Sequence, residues 1–326
     1  MRFAGPLALL AFGALPSPAN DTAATLGAGG LVPVKSSAIA LLSEDLEIST
    51  TRIAVHYTFR NSGPRDENVT VAFPLPEING GDVANIPINI PSRDPLNFID
   101  FRVVVDGRKV EPAVEVRAFF EDAEITGRLR SLGIPLSVLD GKVTAAIRKL
   151  APAERAQLER DHWIDCSLTS DGKCWPYWRS RIQFYWTQRF PAGADVDVRH
   201  EYRPVVGGSQ IYETADAASA TRSYCPTPDV LARIRDLQRA HRGKQPGDRP
   251  VLAERRIEYI LTTANNWAGP IRNFHLSLIA ANPADLVLAC LPGLGRVSPT
   301  RYELLRTNFR PDADLHLLLL QAPDPR

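Results

Sequence analysis

Apolar residues recur at every second position through most of this chain, in short runs broken by clusters of proline, glycine and asparagine. A period of two places alternate side chains on opposite faces of an extended strand, so each run has one face to bury and one to leave in water. Ile53, Val55, Tyr57 and Phe59 alternate with Arg52, Ala54, His56 and Thr58. After the turn cluster Asn61-Ser62-Gly63-Pro64, Val69, Val71 and Phe73 alternate again until Pro74 and Pro76. Phe101, Val103 and Val105 run into Asp106-Gly107, a strong short signal for a hairpin. Ile182, Phe184 and Trp186 share a face, as do Val196, Val198, His200 and Tyr202 after Pro191-Ala192-Gly193. Further strands are expected at Ile257–Leu261, Phe274–Leu278 and Leu286–Cys290, with a last one in the leucine run 315–320. The 27 prolines, about 8 % of 326 residues against a usual ~5 %, fit this punctuation.

The period changes near Glu121. Ile125, Leu129 and Leu132 are spaced for a helix face that Gly133 and Pro135 close, and Val143, Ile147 and Leu150 make a second. Pro152 opens a third short helix, with mixed charge suited to a solvated outer face. A capped helix is expected after Thr227-Pro228-Asp229, ending in a flexible linker at Gly243–Gly247. The segment 77–97, rich in Pro, Gly and Asn, is expected as loop with short pieces of strand. The fold class expected is mainly β with an α insert. It is an immunoglobulin-like β-sandwich with a helical insertion and a second, C-terminal β region.

The start of the chain has the layout of a secretory signal peptide. Arg2 precedes the apolar run Phe3–Leu15, which is too short for a membrane span, and Ser17-Pro18-Ala19 puts small residues before a cut at Asn20. Residues 1–19 are therefore expected to be removed. The remainder divides into an N-terminal sandwich part 20–120, the helical insert 121–161, a β continuation 162–224, a helix and linker 225–247, and the C-terminal β region 248–326. The precursor holds 38 Lys plus Arg against 37 Asp plus Glu; without Arg2 the count is 37 against 37, a net of zero. Such a balance argues against a nucleic-acid partner, and no later window has the ~18 uninterrupted apolar residues of a membrane span. Export suits the four cysteines, which would pair in an oxidising compartment. Of the three connectivities, Cys166–Cys174 with Cys225–Cys290 is favoured, because the seven intervening residues of the first pair include the turn-forming Asp171-Gly172.

No nucleophile elbow, phosphate-binding loop or dinucleotide fingerprint is present, no cofactor is implied and no metal site is expected. His200-Glu201 begins like a zinc-protease motif, but Pro204 stands where the second histidine would be, and strand phase puts His200 on the apolar face. Asp195/Asp197 and Asp312/Asp314 lack the further oxygens of a calcium loop. Two groups are candidate ligand- or partner-binding residues. Asn265, Asn266 and Trp267 combine amide donors and acceptors with a flat ring, although the same residues could cap a turn and plug the sandwich end. Trp175, Tyr177 and Trp178 follow Cys174, where a disulfide would pin the loop, although such aromatics are more often core.

Three stretches carry a family resemblance: Asn20–Ala24 running into Gly29–Val32; Tyr57–Asn61 leading to Val71-Ala72-Phe73-Pro74-Leu75-Pro76; and His200–Pro204 with Thr262–Ile271. Together they resemble an exported bacterial domain-of-unknown-function family, number 4424, across essentially the whole mature chain. The resemblance implies a soluble periplasmic protein and brings no activity with it. The order of strand, Asn turn, strand, Phe-Pro-Leu-Pro and Asp-Gly hairpin also resembles the vault/inter-alpha-trypsin-type β-sandwich, at the level of fold alone. The function expected is a non-catalytic module of the cell envelope that binds another periplasmic protein or cell-wall material. The alternative is an envelope-polymer hydrolase or transferase using His200, Glu201, Asp195 or Asp197.

Overall fold

The computed structural model describes residues 22–27, 30–33, 35–75, 77–85, 89–167, 173–208, 210–211, 222–241 and 252–321. The leader expected at 1–19, the turn expected at Asp171-Gly172 and the linker expected at Gly243–Gly247 lie outside these. The chain is mainly β. Its N-terminal third gives β1 (Thr22–Gly27), β2 (Gly30–Pro33), β3 (Ile39–Ser49), β4 (Ile53–Asn61), β5 (Glu67–Pro74), β6 (Ile78–Asn79), β7 (Arg102–Val105), β8 (Arg108–Val110), β9 (Ala113–Phe120) and β10 (Ala123–Glu124). The middle gives β11 (Ile164–Asp165), β12 (Trp175–Pro176), β13 (Arg179–Phe190), β14 (Asp195–Tyr202) and β15 (Gln210–Ile211). The last segment gives β16 (Leu252–Tyr259), β17 (Ile271–Ile279), β18 (Leu286–Ala289), β19 (Gly295–Ser298), β20 (Arg301–Phe309) and β21 (Leu315–Gln321). The helices are α1 (Gly80–Asn85), α2 (Thr126–Ser131), α3 (Val143–Arg148), α4 (Pro152–Arg160) and α5 (Pro228–His241).

Three sheets share one core. The eight-stranded sheet runs β19-β20-β17-β3-β4-β14-β7-β8, and the seven-stranded sheet runs β10-β9-β13-β5-β1-β2 with β6 on β13. A four-stranded sheet runs β15-β16-β21-β18. One continuous apolar cluster takes Val55, Tyr57, Val198 and Leu276 from the first sheet, Phe73, Phe184 and Trp186 from the second, and Ile257, Tyr259 and Leu317 from the third. The inward sets of β4, β13, β14 and β17 are those that the period of two marks out. The chain crosses between the two large sheets at Asn61, fully buried, whose Nδ2 donates to the carbonyls of Phe190 (2.9 Å) and Arg65 (2.7 Å).

The hairpin β7–β8 turns on Asp106 and Gly107, both at positive φ, as a two-residue primed turn requires. In the helical insert, Ile125, Leu129, Val143, Ile147 and Leu158 are buried, and Gly133 at φ +67° ends α2. α5 lies on the four-stranded sheet, where Ile234 joins Leu252, Leu288, Leu318 and Leu320 in a second, small core. The leucine run of β21 is therefore buried on both faces, which explains why it is continuous rather than alternating.

Two features differ from the expectation. The segment 77–97 holds the short helix α1 as well as the strand piece β6. The C-terminal region is also divided. β17 lies parallel to β3 inside the eight-stranded sheet, with Leu276 opposite Leu46, while β16, β18 and β21 build the separate sheet. The described residues 252–321 thus complete the sandwich as well as extending it.

Candidate functional site

The aromatic loop after the first disulfide is positioned by a helix end. α4 closes with His162 at φ +59°; its N–H donates to the Glu159 carbonyl (3.0 Å), and the Trp163 N–H donates to the Leu158 carbonyl (2.9 Å). These are the paired bonds of a Schellman stop, here with histidine where glycine is usual. The chain then enters β11, which pairs with β12 through Ile164 opposite Pro176 and Asp165 opposite Trp175. Cys166 and Cys174, with Cα atoms 4.0 Å apart, close the ladder just beyond Asp165 and Trp175. The other bond, Cys225–Cys290, ties the segment before α5 to the end of β18. Behind β12 lies α1. A Cβ at Gly80 would fall 2.1 Å from the Pro176 carbonyl oxygen, so only glycine allows this approach, and Gly81 faces the Tyr177 ring.

This packing leaves a cavity of about 330 Å³ lined by Glu159, His162, Ile164, Asp165 and Tyr177. Asp165 accepts from the Ser167 hydroxyl and the Ser167 N–H, both at 2.7 Å, and these bonds hold its carboxyl below the usual carboxylate range. One wall thus offers a fixed anion, a second carboxylate and an imidazole, and the other a phenol ring with a hydroxyl. Such a set accepts hydrogen bonds from amines and hydroxyls and presents a flat apolar surface.

The sequence-derived candidates fall at two different elements and separate by burial. Trp175 and Tyr177 are half-buried at the loop. Trp178 has no exposed surface, and its Nε1 donates to the Leu136 carbonyl (2.9 Å), anchoring the helical insert. Trp267 is also buried, with ring centroids 4.8 Å from Phe59 and 6.2 Å from Phe190. Neither tryptophan offers a face to a ligand, which corrects the binding role considered for them. Asn265 donates from Nδ2 to the Pro311 carbonyl (2.8 Å), and the Asn266 carbonyl accepts from the Ser36 N–H (2.7 Å). Asp314 accepts from the Leu261 and Thr262 N–H groups and the Thr262 hydroxyl, so it fixes this corner.

The residues of the catalytic alternative do not converge. His200 is buried, with the rings of Phe101, Tyr57, Phe73 and Trp186 at 5.1 to 5.8 Å, and burial pulls its pKa down to about 3. Glu201 points the other way from the same strand and accepts from Arg52 (2.9 Å), while Asp195 meets Arg60 (3.4 Å) and Asp197 meets His56 and Arg199. His200 and Glu201 therefore cannot act on one substrate atom.

Sequence reasoning passed over Glu159, His162 and Asp165, because a charged helix end reads as a solvated face. The usable signal was their spacing of three beside a cysteine.

A family model described as Domain of unknown function (DUF4424) matches residues 19–318. The chain belongs to this family. In this DUF4424 chain the matched span takes in both disulfides and the loop cavity. No curated protein matches its sequence. A crystal structure of a candidate nutrient-binding protein from Legionella pneumophila is similar at 16 % identity and a TM-score of 0.45, covering 94 % of this chain and 72 % of that one.

Proposed function

We propose that this DUF4424 chain is a non-catalytic binding module of the bacterial cell envelope, exported to the periplasm, that holds another periplasmic protein or cell-wall material at its disulfide-pinned loop. The carrying observation is the half-buried pair of Trp175, on a two-residue ladder that a disulfide closes, and Tyr177, just after that ladder and in the wall of the cavity. Rings fixed in this way lose little conformational freedom when a partner covers them. The two disulfides suit an oxidising compartment.

A photo-cross-linking phenylalanine analogue in place of Tyr177, introduced in living cells, tests this. Irradiation is expected to join it to an envelope protein or a wall fragment. The same probe in place of the exposed Arg108, on the β7–β8 hairpin, is expected to give no such product. Trp175→Ala in the probe-bearing chain should lower the yield several-fold without changing the melting temperature. A yield from position 177 no higher than from position 108 would remove the loop as the contact surface.

A further inference from the structure

The outward face of the eight-stranded sheet carries two kinds of surface. In one stripe the charged side chains are tied to one another. Arg52 donates to Glu47 (3.0 Å) and Glu201 (2.9 Å), and Arg301 donates to Glu303 and to the Ser277 hydroxyl, both at 2.7 Å. Beside that stripe the register sets Thr307, Asn273, Ser43 and Thr58 in a row across β20, β17, β3 and β4. Adjacent strands lie about 4.8 Å apart, so the row places one polar group per strand spacing. Among the described residues these four side chains make no hydrogen bond or ion pair. The next row holds Leu305, 69 % exposed, then His275 and Asp45, whose carboxylate accepts from His275 Nδ1 (3.1 Å). Ser43, Asp45, Asn273, His275, Leu305 and Thr307 line an open basin of about 380 Å³.

The chemistry of the row selects its ligand. β17, β3 and β4 are paired on both sides at the row, so their backbone groups are taken; β19 covers β20 only from Arg301 to Glu303, so a peptide strand has an open edge only along the outer side of β20 and none across the row. Only side chains remain for recognition. The row itself is uncharged; of the charges beside it, His275 and Asp45 pair with each other, and Arg306, which also lines the basin, donates to the Leu305 and Pro292 carbonyls, which leaves an ionic ligand little to bind. Hydroxyls and a carboxamide both donate and accept, as the hydroxyls of a sugar do. Leu305 supplies an apolar surface for the C–H face of a ring. We propose that this row is a binding site for a neutral, hydroxyl-rich glycan chain, laid across the strands from Thr307 to Thr58 with one sugar ring against Leu305. The site is separate from the loop cavity and stands or falls apart from it.

The test is NMR titration of the isotope-labelled full chain with cellotetraose and, separately, chitotetraose at millimolar concentration. Saturable shifts are expected for the Asn273 side-chain amide and for backbone amides of β17 and β20 with at least one of the two. Asn273→Ala and Thr307→Val, both outward-facing, should each weaken that binding about tenfold or more with an unchanged melting temperature. Tyr177→Ala should leave it as it was. The proposal is overturned by no saturable shift with either glycan, by binding that Asn273→Ala leaves intact, or by equal binding of tetra-alanine at the same residues.

Discussion

Asn61 shows how much of a sandwich can depend on one amide. It stands where the chain leaves the eight-stranded sheet, and its Oδ1 accepts from the Gly63 N–H (2.8 Å) while its Nδ2 serves the carbonyls of Phe190 and Arg65. A buried backbone group left without its partner costs about 1–3 kcal/mol. Asn61→Ala is therefore expected to lose about 3 kcal/mol in urea denaturation. Asn61→Asp should lose more at neutral pH, because it turns an acceptor toward two carbonyls. An alanine variant within about 1 kcal/mol of the parent would show that water takes over all three bonds.

At the scale of elements, the two disulfides differ mainly in the chain they enclose. Cys225–Cys290 spans 65 positions and Cys166–Cys174 only 8. In the chain-entropy picture the longer loop contributes about 4 kcal/mol and the shorter about 2.5. Replacing Cys225 and Cys290 by serine should therefore cost roughly 2 kcal/mol more than replacing Cys166 and Cys174, measured by denaturation of both double variants. Equal losses would place the effect in local packing rather than in the unfolded chain. Which elements were legible from sequence follows from similar local physics. The Asp106-Gly107 hairpin and the inward set Ile53, Val55, Tyr57 and Phe59 were readable, because turn chemistry and strict alternation both lie in neighbouring residues. β3 was not, because a register shift between Leu41 and Ser43 carries its buried face from Leu41 to Glu44, Leu46 and Ile48 and breaks the period. The parallel partnership of β3 with β17 leaves no local trace at all. In the site, the aromatic half was visible and the Glu159–His162–Asp165 half was not, since a Schellman stop at a histidine is a backbone event.

At the scale of the whole molecule, two of the buried titratable groups among the described residues, Glu44 and His200, act in opposite directions on stability. Glu44 in β3 accepts from the Tyr259 hydroxyl (3.3 Å) on the neighbouring sheet, and burial pushes its pKa from 4.5 up to about 8. Its folded form keeps a proton that the unfolded chain releases, so the stability it contributes is complete below pH 4.5 and lost as pH rises toward 8. His200 falls from 6.5 to about 3 through burial, so its contribution is complete above pH 6.5 and lost as pH falls toward 3. Each changes stability by about 1.4 kcal/mol per pH unit where it acts, and between pH 4.5 and 6.5 the two cancel. Stability is thus expected to be flat across pH 5 to 6.5 and to decline on either side. Glu44→Gln exposes the histidine alone, so its stability should rise by about 2 kcal/mol from pH 5 to 6.5. His200→Phe exposes the carboxyl alone and should fall by about the same amount over that interval, and the double variant should be flat again. Urea denaturation of the four proteins at pH 5, 5.75 and 6.5 checks this. A Glu44→Gln variant that stays flat would mean that the core already admits water to His200, and that its neutrality is not what the aromatic shell around it maintains.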